Sequence, residues 1–233
     1  MINTNLTLLT VSFNNNILTG MMIKSFMKQS GMQCPVVIVD NGTTEPVDAL
    51  LKRAFTVVDN YQHKLIPDER QNSRNHCIAI DYAIYNHVHT EWCLLVDNDI
   101  LFLPTVKTIL GCTYQESGSF DVYGEIGYDM TPPARLYPYW CLINVKKMKT
   151  DGIRYYDRNR ITTYYMRDAA GNNLYTDFQY NIQDTGYSFY EDVKSHQWNI
   201  MNVPLSKVCV HFKEGSSGGY AVYNWLCQHH DLF

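Results

Sequence analysis

The sequence predicts an α/β fold in which helices flank a mixed, mainly parallel and twisted sheet. Short apolar runs rich in Val, Ile and Leu alternate with segments whose apolar residues recur at helical spacing. Several of these runs stop at Asn or Asp, residues that are typical of the loop after a strand. Strands that alternate with helices pair in parallel, with the helices packed on the sheet.

The elements of the first half follow from these patterns. Gly31 is expected to end the first helix. An apolar strand that ends in acidic residues follows the last of these helices. In chain order, we predict a strand over residues 6–13, a helix over 17–30, a strand over 36–39, a helix over 48–55, a strand over 56–59 and a helix over 73–87.

The second half is less regular. Residues 151–180 are polar and aromatic without clear periodicity, and long irregular segments in compact domains are often binding loops or lids. The periodic segments here predict a strand over residues 139–145, a helix over 187–196 and a strand over 207–212.

An acidic motif lies between two apolar runs, in the segment WCLLVDNDILFL. An unpaired charge inside an apolar segment costs several kcal/mol, so Asp97 and Asp99 must leave the core or be neutralised. Carboxylates suit Mg²⁺ or Mn²⁺, and Mg²⁺ is often shared with substrate phosphates. The motif therefore indicates a metal site for a phosphate-bearing substrate. A solvated turn is the alternative, because Asp and Asn are common in turns.

Composition restricts the class of protein. The 233 residues, 45% hydrophobic and 18% charged, are typical of one globular domain. A net charge of -4 provides no general basic field for nucleic acid. Seven cysteines without a C-x-x-C pair indicate a reducing compartment. Because we find neither a membrane span nor a signal peptide, we expect a cytoplasmic protein.

Five segments, in this order and spacing, resemble the nucleotide-sugar glycosyltransferases of the GT-A fold, most closely the large family 2 group. The resemblance implies a Rossmann-like GT-A sheet with an irregular C-terminal acceptor region. It also implies one domain over residues 1–233, with a nucleotide-sugar-binding half at 1–103 and an acceptor-binding half at 104–233. The segments are LTLLTVSFNN, VVIVDNG, NSRNHCIAIDYAI, LLVDNDILFLP and QDTGYSFYEDVKSHQWNIMNVPLSKVCVHF.

The resemblance implies roles for individual residues in binding a donor and a metal. Asp99 matches the aspartate that ligates the metal directly, and Asp97 the one that contacts ribose or the waters of the metal. His211 matches a histidine that completes the shell of Mn²⁺ or Mg²⁺. The implied donor-binding residues are Ser12, Phe13, Asp40, Arg74, Asp97 and Lys213.

Asp184 matches the general base that deprotonates the acceptor hydroxyl in the family. Gln183 replaces the preceding glutamate of the family pattern, so Glu191 and Asp192 remain alternatives for the base. Trp140 and Tyr187, with the tyrosine-rich residues 155–190, are expected to line the acceptor site.

The implied donor is a UDP- or GDP-sugar. The chain has no Gln-x-x-Arg-Trp motif of processive synthases, which favours a single transfer to an acceptor hydroxyl. In-line attack by that hydroxyl would invert the anomeric carbon, and retention is the alternative. The acceptor could be a glycan, a protein or a modified nucleic-acid base, and the net charge disfavours the last. A sugar nucleotidylyltransferase and a non-catalytic sugar- or nucleotide-binding module remain alternatives.

Overall fold

A computed structural model describes residues 5–41, 46–59, 72–115, 119–127, 134–156 and 185–212. It confirms the predicted fold class, a mixed and mainly parallel sheet flanked by helices. In chain order the elements are β1 Leu6–Ser12, α1 Asn16–Ser30, β2 Val36–Asp40, α2 Ala49–Ala54, β3 Thr56–Asp59, α3 Asn72–His87, β4 Trp92–Asp97, β5 Ile100–Phe102, α4 Val106–Gln115, β6 Val122–Gly127, β7 Arg135–Asn144, α5 Val145–Asp151, α6 Tyr187–Ser195, β8 Ile200–Asn202 and β9 Cys209–His211.

Seven strands form the main sheet in the order β3-β2-β1-β4-β7-β6-β8. The first four of these strands run parallel, whereas β7 is antiparallel to both β4 and β6. In the parallel part, Ser12 lies opposite Asp40, and Val11 lies opposite Asp97. The carboxyl ends of β1, β2 and β4 therefore meet at one edge of the sheet.

The alternation of side chains along β1 divides the core into two layers. Leu6 and Leu8 pack in the layer formed with α1 and α4, and Leu9 and Val11 pack in the layer formed with α3 and α6. All seven residues of β1 are buried, which explains why its sequence carries no charged side chain. The strand is covered by helices on both faces.

The second half of the chain holds most of the differences from the predicted elements. The strand predicted over residues 139–145 begins at Arg135, and the strand predicted over residues 207–212 is reduced to β9 after a 3₁₀ turn at Leu205–Lys207. β6 was missed because its two glycines weaken the strand pattern. At Gly127, an added Cβ would clash with the ring of Tyr137, so only glycine at this position leaves room for the ring.

Asp81 connects α3 to the end of the segment over residues 134–156. Its carboxylate oxygens accept hydrogen bonds from the backbone N–H groups of Tyr155, at 2.8 Å, and Tyr156, at 2.9 Å. Burial raises the pKa of Asp81 from 3.8 to about 7, although these two hydrogen bonds and the nearby Arg154 act in the opposite direction.

This pKa predicts a pH dependence of stability. Because Asp81 binds its proton more tightly in the folded state, its contribution is most favourable below about pH 4 and declines as the pH rises to about 7. The slope is at most about 1.4 kcal/mol per pH unit. Urea unfolding of the wild type and Asp81→Asn at several pH values measures it. We expect a flatter pH profile for the variant, and parallel profiles would contradict the assignment.

Candidate metal centre

Three potential metal ligands converge at the carboxyl end of β4. Asp97 ends this strand, Asp99 follows in a tight turn, and β9 pairs with β5 so that His211 lies opposite Ile100. One ligand atom from each of Asp97, Asp99 and His211 lies within 4.8 Å of the others. Nε2 of His211 lies 3.3 Å from Oδ1 of Asp99.

The middle residue of the acidic turn is anchored in the protein interior. Nδ2 of the buried Asn98 donates to Oγ1 of Thr19, at 3.2 Å, and this hydroxyl is hydrogen-bonded to Oγ of Ser12, at 3.0 Å. The carbonyl of Asp99 accepts a hydrogen bond from the N–H of Phe212, at 2.9 Å. The turn is thus attached to β1, to α1 and to the end of β9, which fixes the backbone between the two carboxylates.

The three side chains suit a hard divalent cation. Asp99 is only 7% exposed, and within the described residues its Oδ1 is buried and accepts no hydrogen bond. Such an oxygen is costly unless a positive charge neutralises it. Carboxylate and imidazole ligands together are compatible with Mn²⁺, and carboxylates with Mg²⁺. The residues therefore fit the metal expected from the sequence.

The residues expected to bind the nucleoside lie along the same edge of the sheet. Ser12 and Asp40 end adjacent strands, and both are 2% exposed. Oδ2 of Asp40 accepts a hydrogen bond from the N–H of Val47, at 2.9 Å, so this carboxylate also orders the backbone that leads to α2. Phe13, which directly follows Ser12, is 41% exposed. Their roles in donor binding remain predictions.

Some of the expected site residues lie outside the part of the chain that the structure describes. Asp184 and Lys213 are outside the described residues, and Arg74 is described only as part of the backbone of α3. Thr185 is the first described residue after Asp184. Its Oγ1 lies 3.5 Å from Nδ1 of His76. Nε2 of His76 is in turn 3.6 Å from Oδ1 of Asp97. The start of α6 is therefore close to the acidic turn.

Trp140, which was expected to line the acceptor site, lies in the core of the main sheet. Its side chain is fully buried and packs edge-to-face against Tyr123, with ring centroids 5.3 Å apart. Trp140 pairs with Val96 in the middle of the sheet, where a large apolar ring completes the core. Tyr187 is half-buried at the first turn of α6, and its acceptor role remains a prediction.

The alternative bases lie further along α6. Glu191 and Asp192 are both half-buried, and Glu191 forms an ion pair with Lys194 one turn away, at 3.3 Å. Such a pair is common on the solvated face of a helix. This contact favours a structural role for Glu191.

Two residues beside the acidic turn were not predicted as site residues from the sequence. His76 directly follows Ser73-Arg74-Asn75, and this position was the one feature of the sequence that could have indicated a role for it. The ring of Tyr139 stacks on that of His211, with centroids 4.4 Å apart and an angle of 13° between the planes. Burial and the neighbouring carboxylate of Glu125 raise the pKa of Tyr139, so its hydroxyl keeps the proton that it donates.

No protein family model matches this sequence, and no curated protein sequence is similar to it. Solved structures are similar in fold. The structure of residues 1–349 of S. aureus TarS has a TM-score of 0.51 at 13% identity, over 94% of this chain and 63% of that one. The mannosyltransferase PcManGT from Pyrobaculum calidifontis, in complex with GDP-Man and Mn²⁺, has a TM-score of 0.52 at 12% identity, over 89% of this chain and 56% of that one.

These similarities show that the chain has the GT-A glycosyltransferase fold, as its sequence predicted. The chain spans less than two thirds of the length of either of these proteins. Within the part of the chain that the structure describes, no helix combines the length and the apolar character needed to cross a bilayer.

The hydrogen bonds of Thr19 predict a loss of stability when its hydroxyl is removed. Thr19→Val keeps the shape of the side chain but leaves Asn98 and Ser12 without this partner in the core. We expect the free energy of unfolding to fall by about 1–3 kcal/mol. Thr150→Val, on the exposed face of α5, is the matched control and should change it by less than about 0.5 kcal/mol. Equal urea midpoints for the two variants would contradict the anchoring role.

Proposed function

We propose that this protein is a metal-dependent glycosyltransferase that moves a sugar from a nucleoside-diphosphate sugar to an acceptor hydroxyl. The observation that carries the proposal is the cluster of Asp97, Asp99 and His211 at the carboxyl edge of a GT-A sheet. Ligands of open α/β sheets bind at this edge. A diphosphate beside the cluster would be close to the strand ends that carry Ser12 and Asp40.

Asp99 and His211 would hold the metal, with Asp97 as a further ligand or as a partner of ribose. When bound, Mn²⁺ or Mg²⁺ neutralises negative charge on the diphosphate and thereby makes it a better leaving group. Asn98 contributes by fixing the turn, so that the two carboxylates do not have to be ordered when the metal binds. Such preorganisation reduces the entropic cost of binding.

The donor is a UDP- or GDP-sugar in this proposal. A GDP-Man and Mn²⁺ complex of a protein with the same fold supports this class of donor. Asp40 can accept hydrogen bonds from ribose or a base N–H, and the exposed ring of Phe13 can flank the base. Arg74 and Lys213 supply positive charge for the diphosphate. In this proposal, residues 1–103 bind the donor, and Lys213 from the other half of the chain adds a positive charge.

The acceptor site belongs to residues 104–233 in this proposal, where Tyr187 would contact the acceptor. Asp184 would take the proton of the acceptor hydroxyl as it attacks the anomeric carbon, and the nucleoside diphosphate leaves from the opposite face. This displacement inverts the anomeric centre. A positioned base of this kind is worth about 10²–10⁴-fold in rate. The absence of the processive motif supports a single transfer.

Metal-dependent donor binding is the first test of the proposal. Thermal unfolding is followed with a panel of UDP- and GDP-sugars, with and without Mn²⁺. We expect the wild type to be stabilised by one of these donors together with Mn²⁺, and Asp99→Asn to lose the metal-dependent part because a direct ligand is removed. Asp48→Asn is the matched control, since Asp48 caps α2 and asparagine caps helices equally well. A wild type that no donor stabilises would refute donor binding.

The base assignment has a separate test. Asp184→Asn should lower kcat for release of the nucleoside diphosphate by about 10²–10⁴-fold and leave the Kd of the donor almost unchanged. Rates are compared with those of Glu191→Gln and Asp192→Asn, the alternative bases. If Asp184→Asn retains wild-type turnover, Asp184 is not the base, and the variant with the largest loss identifies the better candidate.

A further inference from the structure

The imidazole of His211 is packed against an aromatic ring from the main sheet. Tyr139 belongs to β7, whereas His211 belongs to β9 of the small two-stranded sheet. Their rings are nearly parallel, at an angle of 13° and a centroid distance of 4.4 Å. The same imidazole carries Nε2 to within 3.3 Å of Asp99. The stack therefore lies directly behind a proposed metal ligand.

Tyr139 has this position because β7 bulges. Gly124 of β6 pairs with Cys141, and Ile126 pairs with Leu136, so one residue of β6 faces four residues of β7. The bulge holds Tyr137, Pro138, Tyr139 and Trp140. Tyr139 and Trp140 are adjacent in sequence, yet both pack with the core layer on the α1 side, which regular alternation would not allow. Bulges beside functional sites commonly redirect a side chain.

Other contacts fix the Tyr139 ring itself. Its hydroxyl donates to Oε2 of Glu125, at 3.4 Å, and the same oxygen accepts from the N–H of Leu205, at 3.3 Å. Glu125 thus connects the ring to the turn that precedes β9. The ring also stacks with Tyr137, at a centroid distance of 4.8 Å, and the guanidinium of Arg135 lies 5.0 Å from the centroid of Tyr137.

We infer that Tyr139 is a positioning residue that fixes the imidazole of His211 for binding a divalent cation. The inference rests on the proposed metal-dependent function and adds a residue that does not itself ligate the metal. An imidazole packed on a fixed ring has its plane set before the metal binds. Without the ring, His211 would have to lose rotational freedom about its side-chain bonds on ligation.

The inference predicts that Tyr139→Leu weakens the affinity for Mn²⁺ by about 10- to 100-fold, the usual effect of removing a group that orients a metal ligand. Tyr139→Phe keeps the stacked ring and loses one hydrogen bond, so its affinity should remain within about fivefold of the wild type. Tyr137→Leu is the matched control. It removes a ring from the same bulge but keeps Tyr139 stacked on His211 and hydrogen-bonded to Glu125, so its affinity should remain within about fivefold of the wild type.

The experiment is a titration of the protein with Mn²⁺, with free Mn²⁺ followed by electron paramagnetic resonance. Pulsed measurements on the bound ion add a second signal, the coupling to an imidazole nitrogen, and comparison with His211→Gln separates the share of His211 from that of His76. We expect this coupling in the wild type and in Tyr139→Phe, and its loss or weakening in Tyr139→Leu. His211→Gln provides the reference spectrum without that nitrogen. Circular dichroism checks that each variant is folded, and Tyr139→Met replaces the leucine variant if the latter does not fold.

The outcomes separate the inference from the proposed function. If Tyr139→Leu binds Mn²⁺ with wild-type affinity and retains the nitrogen coupling, the positioning role is wrong and the metal centre stands. If the wild type does not bind Mn²⁺, both the metal centre and the role of Tyr139 are wrong. Weak binding without nitrogen coupling in Tyr139→Leu, beside normal binding in Tyr137→Leu, supports the inference.

Discussion

The parallel pairing of β1 with β2 and with β4 is the constraint on which the candidate site depends. Parallel strands end at the same edge, and here the register places Ser12 beside Asp40 and Val11 beside Asp97. A shift of β4 by one residue would exchange its two faces and move its acidic end into the wrong layer of the core. The buried faces of these strands, each packed against helices, prevent such a shift.

The parallel half was predictable from sequence because its signals are local and mutually consistent. The end of β1 and the ends of α1 agree with the prediction to within one residue, and Gly31 adopts a positive φ of 68° at the stop that its position suggested. The acidic turn was also recognisable, because two aspartates between apolar runs are difficult to explain as core. For these elements, hydrophobic pattern and turn residues indicate the same structure.

The antiparallel half was less predictable because its pattern is set by contacts distant in sequence. A strand with regular alternation would place Tyr139 and Trp140 on opposite faces. The bulge of β7 interrupts this alternation. Trp140, which was expected to line the acceptor site, is fully buried. Nothing in the residues around Tyr139 indicates its partner His211, which lies 72 positions later and reaches it through the pairing of β9 with β5.

Close backbone approaches explain how the two halves meet at β7. Gly127 leaves the space that the Tyr137 ring occupies, and Gly186, with a φ of 92°, begins α6 where a Cβ would lie 1.9 Å from the carbonyl oxygen of Leu136. No other residue type satisfies both the positive φ and the contact at Gly186. The glycine holds the start of α6 against β7, and Thr185 beside it contacts His76, which in turn approaches Asp97. A continuous series of contacts thus leads from β7 through the start of α6 to the acidic turn, so the antiparallel half of the sheet helps to place the carboxylates of the candidate metal centre.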